Sequence, residues 1–193
     1  ATEMSNPTIV KLRDIRLKAW KEEMDKDVDT RLKMSSQYAN IANYWKYFIG
    51  QTEQLKRLKI ADEKQKQEDE FTKWAADYPE YSNLMTGYKK AYSAYSPYAV
   101  HFGYINEGLL ASPWVRNTTQ LGNMVKMMNE KKDDEAYQAR VRVNLNNMVN
   151  NYEKTYLEKA DKKIFAAILN NFYTDVPKSQ HPKFFTLIVE DYW

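Results

Sequence analysis

A chain of 193 residues with 43% hydrophobic side chains suits one domain, or two small ones, with a substantial buried core. Its 29 basic and 26 acidic residues, net +3, alternate in sign and form no basic stripe of the kind a nucleic acid requires. The absence of cysteine excludes disulfides, thiolate nucleophiles and Cys-ligated zinc.

The 5 glycines and 6 prolines are too few for strands joined by tight turns, so the composition predicts long helices with few connections. No run of about 18 apolar residues offers a membrane span. The stretch from Ala1 to Pro7 lacks the basic and apolar regions of a signal peptide, which says little if the chain is a piece of something larger.

Apolar residues recur at helical spacing along most of the chain, and no internal repeat is visible. The first helix is expected from Thr8 to Asp25, started by Asn6-Pro7-Thr8. Ile9, Leu12, Ile15 and Ala19 mark one stripe; Val10, Leu17, Trp20 and Met24 mark a second. Asp25-Lys26-Asp27 reads as the turn.

A long helical stretch is expected from Val28 to Ala76, in one piece or two. Tyr38, Ile41, Trp45, Phe48, Thr52 and Leu55 follow at spacings of three and four, a seam for packing on another helix. Apolar residues thin out from Lys59 to Glu70, and Phe71, Trp74 and Tyr78 restore the stripe. Asp77-Tyr78-Pro79 ends it. A Tyr-rich helix is expected from Tyr81 to Leu110, kinked or broken at Pro97.

Ser112-Pro113-Trp114 reads as a loop, followed by a helix from Thr119 to Glu130 with Leu121, Val125 and Met128 inward. A fifth helix is expected from Asp134 to Lys159, with Val141, Leu145, Met148, Tyr152 and Tyr156 on one face. A sixth starts near Asp161 as its N-cap, carries Ile164, Phe165, Ile168, Leu169 and Phe172, and ends at Val176-Pro177. A last segment carries Phe184, Phe185, Leu187, Ile188 and Trp193, and its apolar end suggests a boundary within a longer protein. The fold class expected is all-α: an elongated helical bundle with long antiparallel helices, about six to seven in number, forming a single helical domain over residues 1–193.

The residues offer little for catalysis. His101 and His181 lie at no metal-ligand spacing; His101 reads as structural and His181 as a surface or cap residue. There is no nucleophile elbow, no Gly-rich oxyanion loop and no phosphate-cradling loop. The run Asp62, Glu63, Glu68, Asp69 and Glu70 alternates with lysines and reads as a solvated face. No catalytic residue, metal ligand or cofactor site is therefore expected within the chain.

One pattern is less bland. Ser36, Asn40, Asn43, Tyr47, Gly50 and Gln54 follow at spacings 4, 3, 4, 3, 4, a second stripe set apart from the apolar seam. It holds amides, hydroxyls and a glycine, a residue that within a helix often marks close approach of another group. Spacing alone leaves two readings open: an exposed polar face with an incidental glycine, or a face that meets something.

At this stretch the sequence resembles a known family. Tyr38-Ala39-Asn40-Ile41-Ala42-Asn43-Tyr44-Trp45-Lys46, followed by Ile49-Gly50, Leu55 and Leu58, is similar to the helical domain of bacterial dipeptidyl-peptidases of the 7 and 11 type, whose pattern there is close to Y-A-x-x-x-N-Y-W-K-x-x-I-G. Asp14-Ile15-Arg16, Arg31, Lys33, Lys64, Phe71, Trp74, the run from Asp161 to Leu169 and Val176-Pro177 fit more loosely.

The resemblance implies a helical lid inserted into a chymotrypsin-like double β-barrel that carries a Ser-His-Asp triad. The parent enzyme would release dipeptides from oligopeptide N-termini outside the cytoplasm, periplasmic or secreted, as a homodimer without metal. The triad and the pocket for the second substrate residue would belong to the barrel, leaving this chain inactive alone. The asparagine of the Asn-Tyr-Trp-Lys block, here Asn43, would help bind the substrate amino group beside a carboxylate from the barrel. Ser36, Asn40, Tyr47, Gly50 and Gln54 would then face the cleft. Tyr44, Trp45 and Lys46 carry over less well, Trp45 lying on the apolar seam. The rival reading is a stand-alone helical adaptor that binds partner proteins through its aromatic faces.

Overall fold

A computed structural model describes residues 2–183 of the chain. The expected terminal segment with Phe184, Phe185, Leu187, Ile188 and Trp193 lies outside the described residues. Among the described residues the chain is all-α, without strands.

Helix α1 covers Thr2–Met24 and α2 covers Val28–Arg57. The connection is too short for anything but an antiparallel pair. Asp27 caps α2, its carboxylate accepting from the Thr30 amide at 2.7 Å. Both stripes expected of α1 are used: Leu12, Leu17, Ala19, Trp20 and Met24 are buried, and Ile9, Val10 and Ile15 are half-buried. The α2 seam from Tyr38 to Leu55 is half-buried throughout.

Helix α1 starts six residues earlier than expected, with Pro7 inside it. A proline this close to a helix N-terminus removes only one backbone bond. Asn6 and Thr8, expected as cap residues, are buried and serve tertiary contacts instead.

The long stretch is two helices. Lys59 has φ 50°, in the left-handed region, and it separates α2 from α3, Ile60–Ala75. Helix α2 is thus about 45 Å long at about 1.5 Å per residue.

The expected Tyr-rich helix is divided as well. Helix α4 covers Leu84–Tyr95, Pro97 sits in a 3-10 turn Ser96–Tyr98, and α5 covers Ala99–Gly103. A π-helical segment Tyr104–Leu109 follows, with the Leu110 amide donating to the Ile105 carbonyl at 2.9 Å. Such a bulge frees carbonyls from the regular ladder. The Glu107 carbonyl is taken up by the Arg16 guanidinium at 2.6 Å. One glycine just before the π segment and one within it lie against α1 and α8. A Cβ added at Gly103 would meet Thr8 Cγ2 at 2.7 Å, and one added at Gly108 would meet Ile168 Cγ2 at 3.0 Å.

Helix α6 covers Pro113–Glu130, so Ser112-Pro113 opens a helix where a loop was expected. Ser112 is the N-cap, accepting from the Val115 amide at 3.5 Å, and Pro113 takes the first helical position, where a missing amide costs nothing. Leu121 and Val125 do not point inward; they are 40% and 48% exposed. Only Met128 of the expected trio is half-buried.

Helix α7 covers Glu135–Thr155, capped by Asp134, and α8 covers Glu158–Asp175. The N-cap expected at Asp161 is therefore four residues late, Leu157 taking that position, and α7 ends at Thr155 where Lys159 was expected. The α7 end is fixed by Lys33 of α2, which donates to the Glu153 and Tyr156 carbonyls at 3.3 and 3.0 Å, a cation where the helix dipole favours one. Asp161 lies within α8, buried, and accepts from Ser112 Oγ at 2.9 Å.

The core forms where α1, α2, the π segment and α8 meet: Leu12, Trp20, Met34, Tyr104, Ile164, Ile168 and Phe172. Helices α3, α4, α6 and α7 extend from it with largely exposed faces. No helix of the described residues is long and apolar enough to cross a membrane.

Candidate functional site: the polar face of helix α2

Helix α2 gives one side to α1 and leaves the other open. Ser36, Asn40, Asn43, Tyr47 and Gln54 are exposed, and Gly50 between them is half-buried. The spacing that set this stripe apart from the seam therefore corresponds to a real division of the helix. Gly50 itself is in open space: a Cβ added there meets nothing within 4 Å. The close approaches that require glycine within this chain occur at Gly103 and Gly108, and anything that approaches Gly50 comes from outside the described residues.

The side chains of the face differ in how they are held. Among the described residues, Ser36, Asn40 and Asn43 have no side-chain hydrogen bond. Gln54 accepts from Arg57 at 2.8 Å. Tyr47 is 56% exposed, packs edge-on against Phe48 and has its hydroxyl oxygen 3.2 Å from Gln51 Nε2. Gln51 is held in turn by Asn6 of α1, whose amide nitrogen lies 3.1 Å from Gln51 Oε1 and 3.1 Å from Thr52 Oγ1. The residue pattern named Asn6 only as part of a helix start and did not single out Gln51. Asn6 is 45 positions away from Gln51, and only its place in a buried stretch of α1 would have pointed to it.

The Asn-Tyr-Trp-Lys block divides by face. Asn43 and Lys46 are exposed. Tyr44 is 54% exposed, with the Arg13 guanidinium 5.7 Å from its ring. Arg13 also lies 5.1 Å from the Phe48 ring and is fixed by a two-point pair with Glu107 at 3.0 Å. Trp45 is half-buried on the seam, as expected of a packing residue.

A second polar cluster surrounds Arg16 and Asp161. Burial lowers the Arg16 pKa to about 10, with Glu107 opposing the change, so Arg16 stays a cation at neutral pH. Burial pushes the Asp161 carboxyl up, against the Ser112 hydrogen bond and the Arg16 charge. Both residues join helices, and so does Arg31, bonded to the Met24 carbonyl, whereas Asp14 pairs with Lys18 one turn away on the same helix. The histidines are packing residues too. His101 is edge-on to Phe172 at 5.5 Å. His181 is half-buried against Phe172 and Tyr173, where a surface or cap position was expected, and its Nε2 donates to the Val176 carbonyl at 2.8 Å. Among the described residues no group of three or more His, Asp and Glu sits together to hold a metal ion.

Comparison with known proteins connects these features to a family. The peptidase S46 family model matches residues 1–192. An Asp/Glu-specific dipeptidyl-peptidase of Flavobacterium psychrophilum is 30% identical over 186 residues, covering 92% of this chain and 25% of that protein. A dipeptidyl-peptidase 7 of Capnocytophaga gingivalis is 31% identical over 182 residues, covering 89% and 25%. The dipeptidyl-peptidase 7 of Porphyromonas gingivalis is 26% identical over 191 residues, covering 97% and 25%. The chain spans about a quarter of the length of these curated relatives. A family match over nearly every residue, with the Asn-Tyr-Trp-Lys block on one ordered helix, is sufficient: the chain belongs to the peptidase S46 family.

Proposed function

We propose that this chain is the non-catalytic helical lid of a serine dipeptidyl-peptidase, and that Asn43 helps bind the amino terminus of the peptide substrate. The observation that carries the reading is the state of Asn43. It stands exposed on the open face of α2, with no hydrogen bond to any described residue, inside the block that carries the resemblance. An amide oxygen accepts a hydrogen bond from an ammonium group. Full charge compensation requires a carboxylate from the rest of the parent enzyme. Fixing the amino terminus determines which peptide bond reaches the nucleophile, so that two residues are released per cut.

The parent enzyme would carry its Ser-His-Asp triad on a chymotrypsin-like barrel, act outside the cytoplasm as a homodimer, and close the lid over bound peptide to exclude water. The relatives include an Asp/Glu-specific enzyme and dipeptidyl-peptidase 7 enzymes at similar identity to this chain. That pattern supports a preference for the second substrate residue set outside this domain. The exposed row of Tyr88, Tyr92 and Tyr95 on α4 favours a second reading, a protein-interaction module.

The test is Asn43→Ala in the full-length enzyme. A hydrogen bond to a charged group contributes about 1.5–3 kcal/mol, so kcat/KM is expected to fall about 10- to 100-fold. Activity near that of the unmodified enzyme contradicts the assignment and leaves the interaction module standing.

A further inference from the structure

The hydrogen bonds beside Asn43 have a fixed direction, and that direction decides what Tyr47 can recognise. The Phe48 carbonyl has no proton, so Thr52 Oγ1, 2.8 Å away, must donate to it. The Thr52 oxygen is then an acceptor, and the Asn6 group 3.1 Å away must be its NH2. The same NH2 donates its other proton to Gln51 across 3.1 Å, which makes the Gln51 atom facing Asn6 the carbonyl oxygen. The Gln51 NH2 therefore faces Tyr47 and donates to its hydroxyl oxygen at 3.2 Å. The Phe48 backbone carbonyl fixes the first step, and each later step inherits its direction from the one before, which removes the usual ambiguity between amide nitrogen and oxygen. Asn6, which sets the direction, is only 3% exposed and cannot turn to solvent.

We infer that Tyr47 is a substrate-positioning residue whose hydroxyl proton, turned outward by this relay, donates to a main-chain carbonyl within the first two residues of the bound peptide. The inference rests on the lid reading above. Asn43 and Tyr47 are one turn apart on the exposed face, about 6 Å along the axis at about 1.5 Å per residue. Two residues of extended peptide span a similar length, at about 3.3 Å each. The face thus offers an acceptor for the ammonium and, one turn on, a donor for a carbonyl. A peptide end presents those two groups at that separation.

The experiment compares kcat/KM for dipeptide release in the full-length enzyme carrying Tyr47→Phe, Gln51→Glu, Gln51→Met or Asn43→Ala. Tyr47→Phe removes the donor and is expected to lower kcat/KM about tenfold. Gln51→Glu keeps an acceptor for Asn6 but presents a carboxylate to Tyr47. The tyrosine proton then turns inward, and a similar loss is expected with the tyrosine intact. Gln51→Met removes the relay's donor without adding an acceptor, so the hydroxyl turns freely and the loss should be smaller than in Gln51→Glu. The Tyr47→Phe, Gln51→Glu double variant should be no worse than either single one. Normal kcat/KM in Tyr47→Phe with a deficient Asn43→Ala overturns this inference alone. Equal losses in Gln51→Met and Gln51→Glu overturn the directional relay. Normal activity in all four variants removes the lid reading together with it.

Discussion

Asn43 and Asp161 are both small polar residues on helices, and sequence patterning treats them alike as surface or cap positions. Packing separates them: Asn43 is exposed, whereas Asp161 is 8% exposed and bonded to Ser112. Burial raises the Asp161 pKa above its ordinary value. Between the unfolded and the folded pKa, the folded chain therefore binds more protons than the unfolded one. This group's contribution to stability thus falls as pH rises through that window. Asp161→Asn keeps an acceptor for Ser112 without a buried charge. Its melting temperature relative to the parent chain should be most favourable at neutral pH. The advantage should narrow as pH falls below the ordinary carboxylate range, where the parent is protonated too. Melting curves at several pH values check this, and a gap that widens on acidification contradicts it. The stripe holding Asn43 was legible because period and residue type coincide over five turns. The relay through Asn6 was not, because hydrogen bonds across 45 residues leave no local pattern.

At the scale of elements, the sequence places the helices better than it places their ends. The α2 seam and the α8 core face follow directly from apolar spacing, since both pack on neighbours within this chain. The α6 face does not, because Leu121 and Val125 meet little of the described chain. Breaks were harder to place. Lys59 stops α2 without proline or glycine, by adopting a left-handed conformation that costs an L-residue about 1 kcal/mol. Lys59→Gly relieves that strain and should raise the melting temperature by about 2 °C, read by circular dichroism. Ser112 holds two roles, N-cap of α6 and donor to Asp161. Ser112→Ala removes both and should destabilise by about 2 kcal/mol in urea titrations, while Ser112→Thr recovers most of the loss.

On the scale of the whole molecule, the chain is a helical unit about a quarter as long as its relatives. The fold class was legible from scarce glycine and proline and from pervasive helical spacing. The family was legible from one block on α2. What the unit faces in the parent enzyme is not written in its own contacts, since the residues of the proposed cleft face largely lack partners within it. The isolated chain is expected to fold into helices, seen by circular dichroism, and to release no dipeptide.

The claim that Asn43 reads the substrate amino group makes a specific demand on specificity. In the full-length enzyme, kcat/KM is compared for one peptide with a free and with an acetylated amino terminus, before and after Asn43→Ala. The reading predicts that the preference for the free amine shrinks by about tenfold or more in the variant, the share of a charge-assisted hydrogen bond. An unchanged preference, even with lower overall activity, contradicts it.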